Sequence, residues 1–526
     1  MSLPYWQAAA LALVALAASA RQAVGWLYLF QLDEYLPSRL WPTARRRFET
    51  RRRWQLSLLA AGLVLLVAAA AVPQLWRPVP LLAAALLPLP LYRPFATRSA
   101  LNWTARARRL GALACLIAYL VLFLSFLGGG LGALAVGLVD LLLVGSLSLA
   151  ARLLAPYEAS QRRRFMALAE ARLLRSKPLV VGITGSYGKT TTKVLLAQLL
   201  DEPGQPCFAT PESFNTTLGV CRAINEGLGD EHRTAVVEMG AYRRGEIAEI
   251  CSFTHPRAAI LTAIGLMHLE RFGSRRLIAE AKSELLEAIP ADGLAVMPSD
   301  IAEKDVLLSH LRARLVEVGA PGDRWWLDGA EISGQGTSFQ LRGSRGEEIA
   351  MQVPLYGRHL LSDLLCALAA AIELGRDPTT LAARAKGLRG APHRLEVTHN
   401  HGITIIDDSY NSNPEGAAEA LHLLGALPGL RRVLVTPGFV ELGPEQEQRM
   451  AELGTMAAAV CSQVILVGPR QSAPVRRGLL EAGYPREQIT VVDDLAGAQA
   501  LLPGLAGSGS VVLFENDLPD QYLERR

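Results

Sequence analysis

The stretch "VVGITGSYGKTTTKVLL", residues 180–196, decides how this chain is read. It opens inside "PLVVGIT", a β-branched run of buried-strand type, and closes in "TTKVLLAQLL", which has helical spacing. Strand, glycine loop, helix is the order that a phosphate-binding loop requires. Backbone N–H groups at the start of the helix point at the anion, and the helix dipole favours negative charge there. The N–H groups of Gly185, Ser186, Tyr187, Gly188 and Lys189 are therefore expected to cradle phosphates. The Lys189 side chain would reach the outer ones, and the hydroxyl of Thr190, with Thr191 beside it, would meet Mg²⁺. The common G-x-x-x-x-G-K-[ST] pattern would place glycine at 183, where this chain has Ile183. The loop is the shorter T-G-x-x-G-K-T-T-T.

Upstream the character changes. Mean hydropathy over the 526 residues is +0.23, and the excess comes from apolar runs near 5–20, 56–73, 79–92, 110–127 and 131–150. One such run could belong to a cleaved signal peptide, but repeated runs read as a polytopic anchor of about five helices over residues 1–155. Arginine-rich stretches follow the first run ("ARRRFETRRR", 44–53), the third (Arg93 to Arg109) and the fifth (Arg152, then 162–164). Positive charge stays on the cytoplasmic side, so crossings with the N-terminus outside satisfy every cluster and leave the phosphate loop in the cytoplasm. The third run, short and holding Pro80, Pro88 and Pro90, is the weakest span. Asp140, inside the fifth run, is expected to bond a neighbouring helix. Residues 156–177 read as a basic linker.

The net charge of +4, with its arginines beside apolar runs, does not describe a nucleic-acid surface. Six scattered cysteines without a C-x-x-C pair indicate neither a zinc site nor a disulfide framework, and suit a reducing compartment.

The T-G-x-x-G-K-T-T-T loop resembles the ATP loop of the Mur ligases, the ATP-dependent amide ligases of peptidoglycan synthesis. Three further blocks extend the resemblance in chain order. "AVVEMGAYRRGEIAEI" (235–250) is similar to the segment carrying a metal-binding glutamate, which implies Glu238 as a Mg²⁺ ligand. A strand-end acid opposite a phosphate loop also makes chemical sense by itself, because Mg²⁺ takes hard oxygen donors. "HLERFGS" and "AKSE" imply His268 beside a second metal and a carbamate on Lys282. "HRLEV" (393–397) and "ITIIDDSYNSNPEG" (403–416) resemble the start of the family's C-terminal domain, and D-D-S-Y-N-x-N-P points to the MurF type. By that match Arg394 faces the γ-phosphate, Asp408 holds the ribose and Asn411 lines the nucleotide wall. "ESFNTTLGV" (212–220) implies Asn215 and Thr216 near the acceptor, while "GRH" (357–359) and "ELG" (441–443) agree more weakly.

The fold this implies is a multi-pass helical membrane region followed by two α/β domains. These are a central ATP-binding domain over 178–392, built on a mostly parallel sheet, and a Rossmann-like C-terminal domain over 393–526. The implied activity is ATP-dependent amide formation through an acyl phosphate, with ATP and Mg²⁺ as cofactors. The implied partners are a UDP-linked or lipid-linked muramyl peptide and an amino acid or dipeptide, D-alanyl-D-alanine first, together with membrane lipid but not nucleic acid. The implied setting is a bacterial cytoplasmic membrane.

Three departures from the family pattern stand out. Membrane helices occupy the place of the UDP-sugar-binding domain. Ala263 and Met297-Pro298 stand where the family commonly has asparagines. The C-terminus reads "FENDLPDQY" in place of a Lys-Gly-Ser-Arg-like turn. Acidic Glu515, Asp517 and Asp520 there could meet an incoming amine or form a charged surface loop. Two rival classes, an ATP-driven transporter and a dead scaffold, lack support from an L-S-G-G-Q-like run or an inverted repeat, and from any decay of the loop, respectively.

Overall fold

The strand leading into the phosphate loop is β1 (Leu179–Thr184), buried from its second residue onward. It lies inside a nine-stranded sheet of the computed structural model, which describes residues 4–50, 101–127, 138–212, 214–265, 272–333, 336–400, 402–410, 413–440 and 442–517. The described residues fall into two units, up to 161 and from 162 onward.

In the second unit, β2 (Cys207–Ala209), β3 (Thr234–Glu238), β4 (Ala258–Leu261), β5 (Leu294–Pro298), β6 (Arg314–Val318), β7 (Trp325–Ser333), β8 (Gly336–Gly343) and β9 (Glu348–Val353) join β1 in the order β2-β3-β1-β4-β5-β6-β7-β8-β9. Pairing is parallel from β2 to β7 and antiparallel across β7–β9. Successive side chains of a strand point to opposite faces, so Val180, Ala235 and Val237 enter one core while Val181, Val236 and Ile260 enter the other. A parallel sheet covered on both faces needs this near-continuous apolar composition.

The second unit's C-terminal part is a six-stranded sheet. Its strands are β10 (Glu396–Asn400), β11 (Ile403–Asp408), β12 (Arg431–Thr436), β13 (Gln463–Val467), β14 (Ile489–Val492) and β15 (Ser510–Glu515). The order is β10-β11-β15-β12-β13-β14, parallel except for the β10–β11 hairpin. "RRVLVTP", "SQVILVG" and "GSVVLF" supply β12, β13 and β15, as their apolar runs predict.

The first unit holds α1 (Tyr5–Ala18), α2 (Ala20–Leu32), α3 (Pro37–Thr50) and α4 (Ala105–Leu127), and α5 (Val139–Ser176) starts in it. Leu110, Ala114, Ala118, Leu122 and Phe126 of α4 recur every four residues and are buried, whereas Leu116, Leu120, Val121 and Leu124 are exposed. Trp26 Nε1 donates to Asp140 Oδ1 at 2.8 Å, the expected bond between helices.

The expectation of about five spans is narrowed among the described residues. α4 and α5 are long and apolar enough to cross a membrane, and a third span exists only if α1 and α2, bent by 57°, count as one. The runs at 56–73 and 79–92 lie outside the described residues, as does the start of the 131–150 run. Up to Ser176 the stretch expected as a basic linker is helical, belonging to α5.

Candidate active site

β1 ends at Thr184, and α6 (Lys189–Leu200) begins after four residues, two of them glycines. Gly185 has φ +151 and Gly188 φ +77, both unfavourable for L side chains. A Cβ on Gly185 would meet Thr262 Oγ1 at 2.1 Å, and one on Gly188 would meet Asp363 Oδ1 at 2.0 Å. The loop is buttressed from behind by the segment after β4. The Ser186 N–H donates to the Ala263 carbonyl at 2.7 Å, the Gly265 N–H donates to Ser186 Oγ at 3.0 Å, and the Thr262 hydroxyl donates to the Tyr187 carbonyl. Because Ala263 acts through its carbonyl, its departure from asparagine leaves this support intact. Tyr187 packs its ring against Gly265, where any Cβ would collide with it.

Lys189 folds back on the loop, its Nζ donating to the carbonyls of Gly185 (2.8 Å) and Ser186 (3.0 Å). Burial draws its ammonium down to about 8, with Glu238 opposing and Arg394 adding to the fall. Arg394 therefore acts electrostatically on the loop from the C-terminal part of the unit. Thr190 follows on the first turn of α6 and is half-buried, and Thr191 behind it is buried.

Glu238 closes β3 with its side chain 1% exposed. Its Oε1 accepts from Asn215 Nδ2 at 2.9 Å, its Oε2 lies 3.1 Å from Lys193 Nζ, and its N–H donates to Thr210 Oγ1. Burial works to raise this carboxyl, but Lys193, Lys189 and the Asn215 amide outweigh it and hold the group below the usual range. Asn215 is fixed in turn by the Gly240 N–H, which donates to its carbonyl at 2.8 Å. Thr216 is the N-cap of α7 (Thr217–Gly227), its Oγ1 accepting from the Gly219 N–H.

Lys282 lies on α9 (Arg275–Ala288), which follows α8 (Glu246–Thr254), and is 3% exposed. Burial, aided by Lys189 and opposed by Glu246, Glu284 and Glu238, lowers its ammonium to about 7.

Arg394 occupies a taut turn, with His393 (φ +59) and Leu395 (φ +46) both left-handed. Its guanidinium sits over the Tyr410 ring at 4.5 Å. Asp408, at the end of β11, accepts the Leu395 N–H on Oδ1 at 3.1 Å and so pins the backbone beside Arg394. Burial pushes the Asp408 carboxyl up to about 6, against the pull of that N–H and of Arg394. His268 and Asn411 lie outside the described residues.

Three groups here escaped attention in the sequence or drew little. Lys193 ends the T-T-T-K run and reads as an ordinary helix lysine. Asp363, on α10 (Arg358–Glu373), is buried against Gly188, and burial raises it to about 7 despite Arg394, Thr192 and Lys189. His359, in the "GRH" turn, is lowered by burial to about 4. The one available signal for Asp363 was an acid inside the otherwise apolar run "HLLSDLLCALAAA". At the C-terminus Glu515 is fully buried at the end of β15, so it is not part of a surface loop. Asp517 is exposed, and Asp520 lies outside the described residues.

A glycine loop with a back-folded lysine, a buried carboxylate and an arginine from a second α/β domain are the parts that a nucleotide-phosphate site needs. The Mur ligase middle domain matches residues 183–371 and the Mur ligase glutamate ligase domain residues 393–515, and the chain belongs to the Mur ligase family. The UDP-N-acetylmuramoyl-tripeptide–D-alanyl-D-alanine ligase of Mycobacterium leprae is 31% identical over 66% of this chain and 72% of its own length. The enzyme of that name from Escherichia coli is 33% identical over 56% of this chain, which spans 65% of that enzyme. The MurF ligase of Thermotoga maritima in complex with ADP superposes with a TM-score of 0.59 at 27% identity, covering 68% of this chain and 80% of that one.

Proposed function

We propose that this protein is an ATP-dependent amide ligase of cell-wall precursor synthesis that adds D-alanyl-D-alanine to a muramyl-tripeptide acceptor. The observation carrying the reading is the phosphate loop itself, with Lys189 folded back on its carbonyls and Glu238 in register with Ile183 at its root, and with Lys282 and Arg394 bearing on the charge of Lys189. The acceptor carboxylate attacks the γ-phosphorus of ATP, giving an acyl phosphate and ADP. The amine then attacks the acyl carbon, phosphate leaves with the bonding pair, and the amine proton is lost to solvent or a nearby base. Lys189 and Arg394 place positive charge where the transferring phosphoryl group gathers negative charge. The taut turn around Arg394 fixes the direction of its fork, and Asp408 fixes the turn.

Glu238, ionised and buried, and Thr190 on the loop are hard oxygen donors that fit Mg²⁺, with His268 assigned beside them from the family pattern. Bound there, Mg²⁺ would supply charge to the phosphate oxygens. Lys282 fits a carbamate: a buried amine drawn down to about 7 is substantially neutral under ordinary conditions, and only the neutral amine adds CO₂. Asn215, bonded to Glu238, and Thr216 beside it mark the acceptor side of the site.

The same reading places the protein at the bacterial cytoplasmic membrane with its ligase domains in the cytoplasm. The apolar lengths of α4 and α5 support it. They also favour a second reading in which the acceptor is lipid-linked.

Purified protein in detergent, given ATP and Mg²⁺, should release phosphate only when UDP-muramyl-tripeptide and D-alanyl-D-alanine are both present. The amide should be visible by mass spectrometry, and Lys189→Ala should be silent. Release with a lipid-linked acceptor alone would select the second reading, and release indifferent to every acceptor would reject both.

A further inference from the structure

Lys193 and Glu238 form a buried ion pair at the place assigned to the cation. Their side chains are 2% and 1% exposed, with Nζ 3.1 Å from Oε2. The same Nζ donates to the Glu212 carbonyl, and Asn215 occupies the other carboxylate oxygen. Each oxygen of Glu238 thus already has a neighbour before any metal arrives, the Asn215 amide on Oε1 and the Lys193 ammonium beside Oε2. An ammonium at this distance neutralises the carboxylate and repels a divalent cation approaching it, strongly so in a site shielded from water.

We infer that Lys193 is a positioning residue that holds Glu238 in place while keeping the empty site weak for a bare divalent cation, so that the cation enters together with nucleotide phosphates. The inference rests on Glu238 as the cation ligand. Two features of the fold suit Lys193 to the task. It lies one turn beyond Lys189 on α6, so the helix that presents the loop to phosphate also carries the ammonium that guards Glu238. It is also tethered by the Glu212 carbonyl in the segment leading to Asn215, so one short stretch of chain sets both partners of the carboxylate. Phosphate oxygens arriving at the loop add the negative charge that tips the balance toward the metal, and coupling between the two ligands is reciprocal.

The test is Mn²⁺ binding to the full chain in detergent, followed by electron paramagnetic resonance with and without a non-hydrolysable ATP analogue. The site is defined as the binding lost in Glu238→Gln. In the wild type the analogue should tighten Mn²⁺ by at least about tenfold, an ordinary size for coupled ligands. Lys193→Met should bind Mn²⁺ without nucleotide about tenfold more tightly than the wild type, and most of the coupling should vanish. Lys193→Gln, which keeps hydrogen-bond donors to Glu238 and Glu212 without the charge, carries the same expectation should the methionine variant fold poorly. Lys193→Arg should restore wild-type coupling. Wild-type protein that binds Mn²⁺ equally well with and without the analogue, or neutral variants that bind bare Mn²⁺ no better than the wild type, would overturn the inference and leave the ligase reading standing. Wild-type protein that binds neither analogue nor Mn²⁺ would overturn both.

Discussion

Lys282 and Lys193 look alike in the sequence, each a lysine on an amphipathic helix, and both prove to be almost fully buried. Helical periodicity says which face a residue shares, but not how closely a neighbouring strand covers that face. Lys282 drew notice only through the family pattern, and Lys193 drew none. Burial makes Lys282 consequential for pH. Its ammonium, lowered to about 7, gives way to the neutral amine as pH rises past that value, so carbamate formation and turnover should both fall as pH drops through about 7. ¹³C-bicarbonate should give a carbamate resonance in the wild type that is lost in Lys282→Met, with a fall of about 10²-fold in kcat, the usual cost of one lost electrostatic group at such a site.

Asp363 works in the opposite sense. Its carboxyl is raised by burial from 3.8 to about 7, so the folded protein holds a proton that the unfolded chain has lost, and stability declines as pH rises between those values. Asp363→Asn removes this loss. The variant should be more stable than the wild type at pH 8, by a few kcal/mol at about 1.4 kcal/mol per pH unit, and the gain should shrink towards pH 4. Thermal melts across that range in the absence of nucleotide decide it. A variant that gains nothing at pH 8 would show that burial does not raise this carboxyl above its ordinary range.

Among the elements, the phosphate loop was the most legible, because its glycines answer a local requirement. Gly188 ends the loop in a left-handed conformation at the N-cap of α6, and Asp363 lies where its Cβ would stand. Gly188→Ala should therefore lose on two counts, backbone strain of about 1 kcal/mol or more and displacement of Asp363. Its melting temperature should fall, and nucleotide affinity should fall further than stability alone would cause. Isothermal titration with ATP on the folded variant separates the two, and unchanged affinity would mean that the loop tolerates the shift. The parallel strands β1 and β3 were equally legible, as short apolar runs leading to the loop and to Glu238. The antiparallel β7–β9 extension was not, since "WWLDGAEIS" and "GTSFQLRG" mix polar and apolar residues on a half-exposed surface. The left-handed turn at His393 and Leu395 was hidden as well: neither residue type announces positive φ, and the conformation is held by Asp408 from β11, a strand later in the chain.

At the scale of the whole molecule, the family match begins at residue 183, whereas the apolar helices lie before it, and the membrane reading rests on those helices alone. The exposed face of α4 carries Leu116, Leu120, Val121 and Leu124, a contiguous apolar surface costly to leave in water. Asp140, the acid inside the fifth apolar run, is buried and accepts the Trp26 indole N–H, so it faces a neighbouring helix, as an acid in an apolar span must. If α4 and α5 cross the bilayer, the arginines at 45–47 and at 162–164 should lie on the cytoplasmic side, because basic residues flanking a span are retained there. The check is a cysteine-free variant carrying a single cysteine at Arg46 or at Arg163, expressed in intact cells. A membrane-impermeant maleimide should label neither position until the cells are permeabilised, and the protein should sediment with membranes and resist extraction by salt and carbonate. Labelling at Arg163 in intact cells would put the phosphate loop outside, away from ATP, and rule out the ligase reading in the cell. Labelling at Arg46 alone would instead show an odd number of crossings between the two arginine clusters, against the even number expected.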